Sequence, residues 1–132
     1  MGSNNQQIAA PLIDVKGLSA ALAAFAAERN WDQFHSPKNL SMALTGEVGE
    51  LSEIFQWLTE EASKSAASNP DTATAVREEL ADVTLYLVRL ASVLGVDLNE
   101  AVTQKLKKNA EKYPVEKAHG THKKYDKLWS GK

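Results

Sequence analysis

At 132 residues the chain is the size of one domain, long enough to form a core and short enough that subunit association would help finish burying it. It contains no cysteine, which excludes a disulfide framework, a thiolate metal site and a cysteine nucleophile, and leaves oxygen or imidazole as the only ligands for a metal. The formal net charge of −2, with the two signs interspersed, gives no electrostatic footprint for a nucleic acid polymer or an anionic membrane.

The first fifteen residues lack the basic-then-apolar order of a signal peptide and no apolar run is long enough to span a bilayer, so the expected location is cytoplasmic. "MGSNNQQ" reads as a disordered or appended lead-in, and residues 1–14 are set apart from the domain. Glycine and proline are few, and no stretch shows strand-like alternation or a β-branched run, which predicts an all-α fold.

A first helix is expected over roughly 17–30, with Leu18, Leu22 and Phe25 at helical spacing and an end near Asn30. A second opens at "SPKN", where Ser36 can cap and Pro37 supplies the first helical position, and its apolar positions run to Leu58. "EEASKSAASNPD" is a polar connection ending in Asn69 as the expected cap, with Pro70 just inside a third helix that reaches Leu94 and stops at Gly95. The fourth opens on a capping-box pattern, Asp97 with Glu100, and ends before Pro114. The domain is thus expected over 15–114, followed by a polar, basic tail over 115–132 that is expected to be partly disordered.

Two of these helices repeat one device. At about 100° per residue, Leu40, Leu44, Leu51, Ile54 and Leu58 fall in one stripe of the second helix with Glu47 at its centre and Glu50 on its flank. In the third, Val76, Val83, Tyr86, Leu90 and Leu94 form the stripe, Glu79 is at its centre and Asp82 on its flank. An ionised carboxylate among leucines must become protonated, pair with a cation or line a wet cavity. Interhelical salt bridges are the plain alternative, but these helices offer chiefly Arg77 and Arg89 as basic partners against four acids. A divalent cation balances that charge better. Oxygen ligands without histidine favour a hard ion, Mg²⁺ or Mn²⁺, and Mg²⁺ completes its octahedron with water and substrate phosphate. A ferritin-like di-iron site is disfavoured, because it needs Glu-x-x-His motifs and His35, His119 and His122 all lie elsewhere.

"GEVGELSEIFQW" followed by "REELADVTLYLV" resembles the all-α nucleotide pyrophosphohydrolases of the MazG type, and within them the small dCTP pyrophosphatases. Glu47 and Glu50 match that superfamily's ExxE, and Glu79 and Asp82 its ExxD; the likeness runs from about Leu18 to Tyr113, through "WDQFHSPKNL" and "KLKKNAEKYP". The resemblance implies a four-helix bundle in a dimer or tetramer, and Mg²⁺-dependent hydrolysis of a nucleoside triphosphate to the monophosphate and pyrophosphate. The four acids are then metal-holding and catalytic, with Glu53 a possible outer ligand against the plainer reading of a solvated position. The implied substrate is dCTP or a modified dCTP, removed as pool house-cleaning. A broader dNTP or a dUTP pyrophosphatase is the alternative, and a metal-binding helical interaction module without catalysis is the competitor from another class.

Lys105, Asn109 and Lys112 share a face of the fourth helix; Lys105 and Asn109 match nucleotide-contacting positions, whereas Lys112 replaces an arginine and so loses its bidentate fork. In the resembling enzymes Trp31, His35 and Trp57 match positions lining the base pocket, and the expected oligomer allows Trp31, or residues near it, to be supplied by a neighbouring subunit. With Tyr86 and Tyr113 these complete the candidate substrate-binding set, while Phe34 is read as packing. Gly46 and Gly49 each cost about 1 kcal/mol relative to alanine inside a helix, which suggests close approach of a helix or ligand there.

Overall fold

The computed structural model describes residues 10–130. Among them every regular element is helical: α1 (Lys16–Glu28), a 3₁₀ turn (Asp32–Phe34), α2 (Pro37–Phe55), α3 (Glu60–Ser63), α4 (Ala73–Leu94), α5 (Leu98–Lys112), α6 (Val115–Ala118) and α7 (Tyr125–Ser130). The all-α expectation holds, and α1, α2, α4 and α5 are the four principal helices. No helix among the described residues is long and apolar enough to cross a membrane.

The described residues divide into two compact units, one spanning Val15–Val96 and the other comprising residues 10–14 together with 97–130. In the first, α4 packs against both α2 and α1. Leu40 and Val76, from the two predicted stripes, are buried, and Leu44, Leu51, Ile54, Val83 and Leu90 are half-buried. Leu94 is exposed instead, and the buried Val88 lies nine residues from Glu79, about 180° around the helix. α4 therefore buries residues beyond the predicted stripe, Val88 about 180° from Glu79 and Ala91 between the two. Leu80, Leu87 and Leu94, spaced by seven, leave an exposed apolar row.

The helix ends follow local chemistry. Ser36 accepts a hydrogen bond from the Asn39 amide, 3.1 Å away, and caps α2 with Pro37 in its first turn. α1 ends in a Schellman motif, with the Trp31 amide donating to the Ala26 carbonyl, the Asn30 amide to Ala27, and Asn30 at φ 53°. That left-handed step, which asparagine tolerates, fixes where Trp31 starts. Gly95, at φ 70°, closes α4 in the same way through the Val96 and Gly95 amides. Gly95→Ala places a Cβ in that left-handed conformation and is expected to lower unfolding stability by about 1–2 kcal/mol in urea titration; an unchanged midpoint would show that the cap contributes nothing.

Three expectations are corrected. α4 begins at Ala73, not beside Asn69, because the Asn69 side chain accepts from the Asp71 amide in a turn and the Thr72 hydroxyl donates to the Ala66 carbonyl. The polar connection also holds a turn of helix, α3, capped by Thr59. Apart from their own turn of helix, Gly46 and Gly49 have nothing within 4 Å of where a Cβ would sit, so of the expected helix or ligand, no helix among the described residues makes the close approach.

In the second unit, Asp97 caps α5 by accepting from the Glu100 amide as expected. Asn99 Oδ1 accepts from the amides of Leu12 and Ile13 at 2.8 and 3.3 Å, so the described end of the 1–14 lead-in is tied down. "MGSNNQQ" lies outside the described residues. The tail, expected to be partly disordered, carries α6 and α7.

Candidate active site

The heptad-like placement of acids in α2 and α4 becomes a physical cluster where these helices pack. One carboxylate oxygen from each of Glu47, Glu50 and Glu79 lies within 4.8 Å of the other two. Glu47 and Glu79 are half-buried and Glu50 is exposed, so the cluster opens to solvent on one side. Oε2 of Glu47 and Oε2 of Glu79 are each buried without a donor to meet them.

Of the two basic residues weighed from the sequence as partners for the four acids, Arg89 pairs with Asp32 instead, and Arg77 is exposed on α4. The Glu79 carboxyl is pushed up to about 7, first because its proton bridges to Glu47, then by burial and by the charges of Glu50 and Glu47. Glu47 is also raised: the bond from Glu79 lowers it, but burial and the charges of Glu50 and Asp82 outweigh that. Orphaned oxygens, converging oxygen-only ligands and an uncompensated negative charge are what a hard divalent cation requires, so the residues present fit such an ion.

Asp82 stands outside the tight trio, but its charge reaches Glu47 and its side chain lines an adjoining cavity. That cavity, about 160 Å³, is walled by Leu22, Phe25, Trp31, His35, Leu40, Asp82, Leu85, Tyr86 and Arg89. Sites that enclose a whole drug-sized ligand run to ~300–1,000 Å³, whereas an apolar cavity of ~150 Å³ takes up a benzene ring. The space therefore suits a single flat ring. Trp31 stands edge-on to both Phe25 and His35, at 5.6 and 6.4 Å between ring centres.

Of the residues expected to bind substrate, the fold brings Trp31, His35 and Tyr86 together around this cavity, all within one chain. It does not bring Trp57 there. α2 ends at Phe55, ahead of the expected Leu58, and Trp57 sits beyond it with 87% of its surface exposed. Glu53 is exposed on α2 and is not part of the trio. Lys105, Asn109 and Lys112 lie on α5 with Tyr113 at its end, in the second unit; Lys105 is exposed and the other three are half-buried. Phe34, read as packing, is 57% exposed. Sequence reasoning missed Leu22, Phe25 and Leu85 as walls, since nothing distinguishes them from ordinary core residues. It also missed the place of Arg89, whose only signal was its scarcity as a cation inside an apolar helix.

Comparison with known proteins follows the same residues. The dCTP pyrophosphatase 1 of Bos taurus is 49% identical over 109 residues, covering 83% of this chain and 64% of that protein. The dCTP pyrophosphatase 1 of Homo sapiens is 48% identical over the same length. The chain thus spans 64% of the length of these curated relatives. A pyrophosphatase crystal structure from Archaeoglobus fulgidus DSM 4304 aligns with a TM-score of 0.70 and 38% identity, over 76% of this chain and 92% of that one. The MazG-like family model matches residues 43–128, which include both acidic motifs and α5, and with relatives this similar over most of its length the chain belongs to the MazG-like family.

Proposed function

We propose that the protein hydrolyses a deoxynucleoside triphosphate, dCTP or a modified dCTP, to the monophosphate and pyrophosphate with Mg²⁺ as the metal. The observation that carries this reading is the convergence of Glu47, Glu50 and Glu79 from two helices, with two buried oxygens unpartnered, beside a ring-sized cavity that shares Asp82. The likeness to dCTP pyrophosphatase 1 supports the choice of base.

In this reading Glu47, Glu50, Glu79 and Asp82 hold Mg²⁺, with Mn²⁺ able to substitute. When bound, the ion neutralises triphosphate charge and acidifies water at the α-phosphorus. The rest is done by the chain. The cavity takes the base, with Trp31 and Tyr86 as aromatic walls; stacking on a ring contributes ~1–3 kcal/mol per base in single-strand binding proteins. Water adds to the α-phosphorus, the bond to the bridging oxygen breaks, and pyrophosphate leaves with the electron pair. A carboxylate of the cluster not saturated by metal accepts the water's proton. Lys105, Asn109, Lys112 and Tyr113 are assigned to the nucleotide by the family resemblance, and Trp57 is assigned to the base on that ground alone. The exposed row of Leu80, Leu87 and Leu94 supports assembly as a homodimer or homotetramer.

The test is pyrophosphate release from dCTP, 5-methyl-dCTP, dUTP, dTTP and dATP, with and without Mg²⁺. Turnover is expected only with metal and fastest with a cytosine nucleotide. Folded protein that releases pyrophosphate from none of them would overturn the hydrolase reading and leave a metal-binding helical module.

A further inference from the structure

The cavity that Asp82 also lines contains a hydrogen-bonded assembly that the hydrolase reading does not use. Arg89, on α4, has a side chain only 12% exposed. Its Nε–H donates to His35 Nδ1 at 3.0 Å, and its Nη2 donates to Asp32 Oδ1 at 2.8 Å. Asp32 opens the 3₁₀ turn and His35 follows it directly, so one guanidinium pins both ends of that turn to α4. The planar fork of arginine suits this double attachment, which a lysine ammonium does not reproduce.

The bond to His35 has a chemical consequence. A guanidinium cannot accept a hydrogen bond, so Nδ1 must be the acceptor, and the neutral ring carries its proton on Nε2. Nε2 of His35 is then a donor, while the carboxylate acceptor among the lining residues is Asp82. A pyrimidine edge with acceptors, such as O2 and N3 of cytosine, is matched by a donor there, whereas uracil carries N3–H at the corresponding place. Two donors facing each other leave both unpaired in a mostly apolar cavity, which is how a binding site rejects a close analogue.

We propose that Arg89 is a positioning residue that sets the base preference of the cavity by holding His35 in its Nε2–H tautomer. This rests on the hydrolase reading. It assigns Arg89 no contact with the reacting atoms.

The test is kcat and KM for dCTP and dUTP in the unsubstituted chain, Arg89→Met and Arg89→Lys. The unsubstituted chain is expected to favour dCTP in kcat/KM. Both variants should lose at least about tenfold of that preference, through a higher KM for dCTP rather than a lower kcat. Arg89→Lys keeps a cation opposite Asp32 and decides the matter should Arg89→Met fail to fold. Restoration of the full preference by lysine would reduce Arg89 to a charge and overturn the proposal, as would an unchanged ratio in either variant or an unsubstituted chain that does not favour dCTP over dUTP. Absence of turnover by the unsubstituted chain overturns the hydrolase reading and this one with it; turnover with an unchanged ratio overturns this one alone.

Discussion

Glu79→Gln is expected to abolish most nucleotide hydrolysis while leaving the thermal midpoint of the metal-free protein unchanged or higher. The two halves of this prediction have one cause. Glu79 sits where Glu47 and Glu50 converge on it, and its carboxyl is pushed up to about 7 by the proton it shares with Glu47, by burial and by the neighbouring charges. A carboxamide has nearly the same shape, carries no charge and places an N–H where the buried Glu47 Oε2 lacks a donor. Repulsion within the apo cluster therefore falls. Metal binding meets the opposite fate, since a neutral amide is a poor replacement for a carboxylate at a hard cation. Even outer-shell partners of metal ligands cost 10–100-fold when removed, so loss of a direct ligand is expected to reduce kcat/KM by at least about 100-fold. Pyrophosphate release and differential scanning fluorimetry in EDTA read the two halves separately. Retained activity with a lowered midpoint would make Glu79 a structural group.

The two ends of this argument were unequally visible in the chain. Helical phase alone places Glu47 and Glu79 at the centres of apolar stripes, because a 3.6-residue period is a local property and both helices form as that period predicts. The second buried face of α4 is not local. Val88 reads as an outward position because it stands about 180° from Glu79, and helical phase alone gives no sign that this side of α4 is buried as well. Arg89 joins residues 54 and 57 positions away, a pairing no spacing rule reaches. Trp57 differs again: the apolar stripe continues to Leu58, but the helix stops at Phe55, so the indole lies beyond the last residue whose direction helical phase fixes. Glu50 and Asp82 fall between these cases, since phase puts both on a flank and only packing makes one part of the trio and the other a wall of the cavity.

The stability of the metal-free protein is expected to fall as pH rises from 5 to 8, and its stabilisation by Mg²⁺ to grow over the same range. For the unfolded chain Glu79 titrates near the ordinary 4.5, whereas in the folded chain it titrates at about 7, and Glu47 is displaced in the same direction. Between these values the folded state holds more protons than the unfolded one, so the slope of unfolding free energy with pH is negative. The contribution is complete below 4.5 and lost as pH passes through about 7. A divalent cation competes for the same oxygens. Below about 7 its binding must release the Glu79 proton, so affinity should climb about tenfold per pH unit for one proton displaced and flatten above it. Mass action converts that affinity into stability, which makes the Mg²⁺-induced rise in melting temperature small at pH 5.5 and large at pH 8. The measurement is the difference between the unsubstituted chain and Glu79→Gln, each scanned with and without Mg²⁺, so that contributions from elsewhere in the chain cancel. If the cluster is the source, the substitution removes the negative metal-free slope and most of the metal response together. A negative slope that survives the substitution would place its origin elsewhere in the chain. Loss of the slope with the metal response intact would leave a proton site at Glu79 that the cation does not use.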